Sequence, residues 1–346
     1  MTSPDTADTP MTTGVGPVPP PAPPRRTTDD DEQPSGALKT VSRTGDRVMR
    51  FLATGSGLVV TATIGLIALF LLIQAVPALA KNTENFFTFT GTWVVSGPDL
   101  KFGIAAQFYA TMVVSVLALI IAMPVALGIA IFVTEYAPRR LAGPISFTVD
   151  LLAAVPSIVY GLWGILVLGP AMVGPNRWLV DNLGWLPFFK EPQSAANMST
   201  GGTLLTAGIV LAVMILPVIT AVTREVFAQT PLGHREAALA LGATRWEVVR
   251  TAVLPFGFSG YISGSMLGLG RALGETMALM LIISAVGPID FNLMESGETF
   301  ATIIANNAAE FDDPLKTGAF ISAGLVLFVL TFVVNAAARA VIARKA

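Results

Sequence analysis

The chain has 346 residues, 53% of them hydrophobic and only 13% charged, where soluble domains carry roughly a quarter charged residues. It has no cysteine, which excludes disulfides, thiolate metal sites and cysteine nucleophiles, and a lone histidine, His234, excludes a histidine metal cluster. The formal net charge of −2 singles out no partner and gives no reason to expect nucleic acid.

Residues 1 to about 46 are polar, with "PVPPPAPP" (Pro17 to Pro24) and "DDDE" (Asp29 to Glu32). Such a segment buries too little apolar surface to offset the entropy of ordering, so a disordered, Pro-rich tail is expected over 1–46. The first apolar run starts near Phe51, too far from Met1 for a signal peptide. From 47 to 346 a membrane domain is expected. Its six apolar runs, at about 51–76, 106–133, 146–170, 203–222, 256–287 and 316–340, are each long enough for a bilayer-spanning helix.

Lys and Arg segregate across these spans. One side holds Arg25, Arg26, Lys39, Arg43, Arg47, Arg50, Arg139, Arg140, Arg224, Arg235, Arg245, Arg250, Arg339, Arg344 and Lys345; the other holds Lys81, Lys101, Arg177, Lys190 and Lys316. The positive-inside rule then predicts a multi-pass protein with both termini in the cytoplasm. On the other side, "NRWLVDNLGWLPFFKE" (Asn176 to Glu191) reads as an aromatic loop, which fits either a place at the membrane interface beside lipid headgroups or a face turned to a partner.

Between spans four and five, Thr223 to Pro255 is too polar to cross lipid. Helix-forming residues run on from Glu236, Gly242 interrupts them, and a second helical run follows. Gly242 would let the chain turn sharply and another surface come close. A surface-lying amphipathic helix fits this spacing too. The literal pattern is more specific. Glu236, Ala237, Ala238, Gly242, Leu254 and Pro255 resemble the EAA loop of ABC-importer permeases, with Ala252 where that pattern usually has Ile. In that family the loop forms a coupling helix that docks on a cytoplasmic ATPase. The chain has no Gly-Lys dipeptide, hence no P-loop, so ATP hydrolysis falls to a partner and the chain itself is not an enzyme.

Three further stretches resemble the phosphate ABC-importer permeases, PstC type: "LLAAVPSIVYGLWGILVLGP" (Leu151 to Pro170), "GRALGETMAL" (Gly270 to Leu279) and "ETFATIIANNAAEF" (Glu298 to Phe311). The sister PstA type has a proline soon after its Gly-Glu-Thr, where this chain has Met277 and Ala278. The resemblance spans about residues 50 to 340. It implies an all-helical six-span permease of a bacterial plasma membrane, with a cytoplasmic coupling helix and no cofactor. It also implies a PstA-type homologous permease, a PstB-type ATPase dimer, a PstS-type extracytoplasmic phosphate-binding protein, and inorganic phosphate as cargo.

The membrane charges can be read on their own physics. On an ideal helix Gly260, Gly264 and Gly268 share a face with Arg271 and Glu275, so both charges would point to protein or a cavity and pair with each other. An intramembrane charge is a functional-site hypothesis by default, and a guanidinium matches the oxygens of phosphate. A buried pair that only fixes helix register is the plainer reading. Pro156 would break span three, placing the hydroxyls of Ser157 and Tyr160 beside the freed carbonyls. Arg271, Glu275, Ser157 and Tyr160 are therefore the candidate pathway residues, and Glu236, Ala237, Ala238 and Gly242 the candidate coupling residues. Two rival functions remain in view. One is a permease for another oxyanion such as molybdate or sulfate; the other is an anion channel that needs no ATPase.

Overall fold

The computed structural model describes residues 44–97, 99–284 and 292–343, so nearly all of the tail expected over 1–46 lies outside the described residues. Its last three residues, 44–46, already belong to a helix. By internal contacts the chain divides into two units, 1–59 and 60–346. The described part of the first is helix alone, the opening of α1 (Thr44–Ala80).

The second unit is a helical bundle. After α1 come α2 (Ala105–Ile131), α3 (Arg139–Ala153), α4 (Ser157–Trp163), α5 (Gly169–Leu183), α6 (Ala195–Thr200) and α7 (Leu204–Ala228). They are followed by α8 (Leu232–Ala240), α9 (Arg245–Val248), α10 (Leu254–Leu273), α11 (Met277–Ile282), α12 (Phe300–Asn306) and α13 (Pro314–Ala343). Single π-helical turns prolong α2 to Tyr136, fuse α4 to α5, and fuse α9 to α10. Among the described residues, six helical stretches are long and apolar enough to cross a membrane: Gly45–Ala80, Ala105–Tyr136, Ser157–Leu183, Ala195–Ala228, Arg245–Leu273 and Pro314–Ala340.

Two spans depart from the expected runs. The third was expected at 146–170 but is Ser157–Leu183, preceded by the separate helix α3. The apolar run is continuous in sequence; Pro156 is what divides it. Its backbone is extended (φ −59°, ψ 138°), and proline has no N–H to give the carbonyl four residues back. That carbonyl belongs to Leu152, and the Tyr160 hydroxyl donates to it at 2.9 Å. Half of the expected aromatic loop, Asn176 to Leu183, is accordingly the end of α5. The fifth span was expected at 256–287. Its helix ends at Leu273, and a short helix, α11, restarts at Met277. Residues 285–291 of that run lie outside the described residues.

The core lies along α7, which packs between α2 and α10. On α2, Ala110, Val114, Ala118, Ala122, Ala126 and Ala130 recur every four residues and are all buried. Such small side chains let membrane helices approach closely, where no water-driven burial holds them together. The α10 glycines do the same: a methyl group placed on Gly268 would lie 2.8 Å from Ile219, and one on Gly264 3.1 Å from Val222. Gly268→Leu should therefore overpack this contact, at about 1–3 kcal/mol. The expected result is a lower melting temperature and a lower yield of assembled protein in detergent; unchanged melting would contradict the packing described.

Between α1 and α2 the chain packs on α13. Val94 and Lys101 bridge antiparallel, Trp93 stacks on Phe320 of α13 at 5.5 Å, and its Nε1 donates to Gly103 O at 2.9 Å.

Candidate coupling loop and pathway residues

The loop after α7 is built as a helix presented to the outside. No residue of α8 is buried, and Leu232, Leu239 and Leu241 are exposed by 71%, 53% and 90%. An exposed cluster of large apolar side chains on a polar segment marks a contact with protein or with the membrane surface. The helix ends in a Schellman motif: Gly242 N–H donates to Leu239 O at 2.9 Å and Ala243 N–H to Ala238 O at 3.2 Å. Gly242 has φ +82°, a left-handed conformation that side-chain-bearing residues rarely adopt. A Cβ built there would meet nothing within 4 Å, so within this chain the glycine is required by the turn, and its outer side is open. Two residues on, Thr244 and Glu247 form a reciprocal capping box that starts α9. Glu236, Ala237, Ala238 and Gly242 are thus brought together in one exposed helix and its stop.

The two broken spans meet each other. A methyl group on Gly161 of α4 would lie 2.7 Å from the Ala278 Cα of α11, and one on Gly164 2.7 Å from Ile282. This crossing sets α4, which carries Ser157 and Tyr160, against α11, which Glu275 precedes, without the charge pair expected there. Glu275 is buried and its carboxylate accepts the Ala278 N–H at 3.0 Å, capping α11. Arg271 sits on the last turn of α10, exposed, one turn beyond Gly268, and among the described residues it has no ion pair or hydrogen bond. The expected i,i+4 pair is therefore absent, because the helix that would align the two side chains stops between them. Arg271 lies within electrostatic reach of the Tyr160 hydroxyl. That hydroxyl is engaged by Leu152, whereas the half-buried Ser157 hydroxyl makes no hydrogen bond among the described residues.

A model of the family described as "Binding-protein-dependent transport system inner membrane component" matches residues 125–346. The chain belongs to this family. It is 55% identical over 305 residues to "Phosphate transport system permease protein PstC 2" of Mycobacterium tuberculosis, covering 88% of this chain and 94% of that protein. It is 39% identical to "Phosphate transport system permease protein PstC" of Xylella fastidiosa, covering 86% and 91% of the two chains. Among solved structures it is similar to the methionine ABC transporter MetNI in an inward-facing conformation, with TM-score 0.49 and 15% identity, over 70% of this chain and 95% of that one.

The permease also holds polar ties that the sequence did not suggest. Glu295 is buried, accepting from Asn197 Nδ2 at 3.0 Å and from the Gln193 N–H. Asn292 Nδ2 donates to Lys190 O at 2.9 Å. Together they join the segment before α12 to the segment before α7. Asn306 donates to Glu298 at 2.8 Å, while burial pushes the Glu298 carboxyl above the usual carboxylate range. Asp150 pairs with Arg224 at 3.2 Å and ties α3 to α7. Arg235 pairs with Glu135 at 3.0 Å. Apart from Asn306 and Glu298, which are 8 residues apart, these partners stand 74 to 102 positions apart in sequence, and a single chain carries no local pattern at such separations.

Proposed function

We propose that this chain is the PstC-type permease subunit of an ATP-driven importer of inorganic phosphate. It would line the translocation pathway together with a homologous PstA-type permease. A PstB-type ATPase dimer would bind the α8 side and a PstS-type binding protein would deliver phosphate on the opposite side. The phosphate assignment rests on 55% identity over 94% of a relative that bears that name. The coupling assignment is carried by one observation: a helix with the EAA residues, none of them buried, closed by a left-handed glycine and studded with leucine. An ATPase-independent channel has no use for such a helix.

The pathway reading is supported by Arg271. Facing lipid, an unpaired guanidinium costs about 2.5–3.5 kcal/mol or more, so its exposed face belongs against a partner or a polar passage. The planar fork binds a tetrahedral oxyanion through two parallel hydrogen bonds. Having a single arginine avoids holding the cargo too tightly for release. Ser157, at the start of α4, adds a free hydroxyl. Tyr160 and Glu275 would shape the site by holding open the two helix breaks. Closure of the ATPases would drive α8 and, through it, the helices that bear these residues, between inward- and outward-open states.

Orientation supplies a direct test. A cysteine at Asn182 in this otherwise cysteine-free chain should react with an impermeant maleimide added outside the cell. Labelling from the cytoplasmic side alone would reverse the topology and place α8 on the wrong face for an ATPase.

A further inference from the structure

An exposed helix can drive a membrane domain only through whatever fastens it there. On α8, Arg235 and Ala238, one turn apart, are the two residues that are not exposed, so this is the face turned to the rest of the chain. Arg235 Nη2 lies 3.0 Å from Glu135 Oε1 and donates to Phe227 O at 2.8 Å. The two charged side chains are only 21% and 11% exposed. Glu135 stands in the π-helical turn that ends α2, and Phe227 in the last turn of α7. The Phe227 ring packs with Ala130 of α2 and with Val253, where α10 begins. One guanidinium thus grips the point where three membrane helices converge.

We infer that Arg235 is a positioning residue that latches α8 to α2 and α7, so that displacement of α8 by an ATPase is passed to the membrane helices. Apolar contact between α8 and the bundle is non-directional and lets the surfaces slide. The charge-assisted hydrogen bond to Phe227 O and the ion pair to Glu135 add fixed points that hold α8 in register, and a transport cycle needs strokes in both senses. Neither Glu135 nor Arg235 belongs to the EAA pattern, and neither reaches the pathway residues. The inference rests on the coupling role proposed for α8.

The test uses the full complex in proteoliposomes, with phosphate uptake and ATP hydrolysis measured together. The variants are Arg235→Gln, Glu135→Gln, the double Gln variant, and the exchange of Arg235→Glu with Glu135→Arg. The expected result is that the ATPase stays bound and hydrolyses ATP, while phosphate moved per ATP falls at least about tenfold in the single and double Gln variants. The charge exchange should regain part of it. A residue that merely stabilised the fold would lower the amount of complex and leave that ratio unchanged. If a single variant fails to assemble, the double variant decides, since it leaves no lone buried charge. Normal phosphate per ATP in any assembled Gln variant overturns the latch. So does failure of the double variant to assemble, which makes the pair a folding element only. Leu241→Asp separates this from the coupling reading: if it leaves ATPase association intact, α8 is not the docking helix and the latch falls with it. If it abolishes association while the Arg235 variants transport normally, only the latch falls.

Discussion

Arg271→Gln should reduce phosphate uptake by at least about a hundredfold, the range of one strong charge-assisted contact to the cargo at about 1.4 kcal/mol per tenfold, while the complex still assembles. The helix break is what makes this outcome clean. Had Arg271 been locked to Glu275 in a buried pair, removing one charge would strand the other at about 3–5 kcal/mol, and lost uptake would be confounded with misfolding. Among the described residues Arg271 has no partner to strand. Glu275 serves α11 through the Ala278 N–H, and Glu275→Gln keeps an acceptor oxygen for that bond. Glu275→Gln should therefore be stable, and Glu275→Ala should lose about 0.5–2 kcal/mol with the cap. Arg271→Lys keeps the charge without the planar fork, and intermediate uptake is expected. Full uptake in an assembled Arg271→Gln complex would place the phosphate path elsewhere.

Gly242→Val should uncouple the permease. At φ +82° a β-branched residue is strained by about 1–3 kcal/mol, and α8 can relieve this only by abandoning its Schellman stop. The helix lies outside the apolar spans, so the membrane domain should still fold. ATPase association, measured by co-purification, should drop, and phosphate-stimulated hydrolysis with it. The ordering of further substitutions is informative. Asn, which tolerates the left-handed region, should be mildest, Ala intermediate and Val worst. If Gly242→Asn were as damaging as Gly242→Val, the open space beside the glycine would matter more than its backbone conformation.

Composition and hydropathy reveal the class of fold because a bilayer demands long apolar helices and little else. The spacing of Glu236, Ala237, Ala238 and Gly242 reveals the exposed loop because helix stops have local chemistry. Legibility failed where a local signal had two outcomes. Gly274 could sit inside a continuous membrane helix or end it; the Glu275 carboxylate decides by capping a new helix, and the face shared by Arg271 and Glu275 on an ideal helix dissolves. Pro156 was readable as a break, but the apolar residues on both sides hid that α3 is a helix of its own. The ties of Arg235 to Glu135 and of Asn197 to Glu295 lay beyond reading, since nothing local in a strand of residues records a contact across the bundle.

Uptake of radiolabelled phosphate by proteoliposomes, with this chain reconstituted beside its sister permease, ATPase and binding protein, tests the central claim most directly. Phosphate should accumulate only when ATP is supplied on the α8 side, with excess sulfate or molybdate failing to compete. Accumulation without ATP, or transport of sulfate or molybdate in place of phosphate, would contradict it.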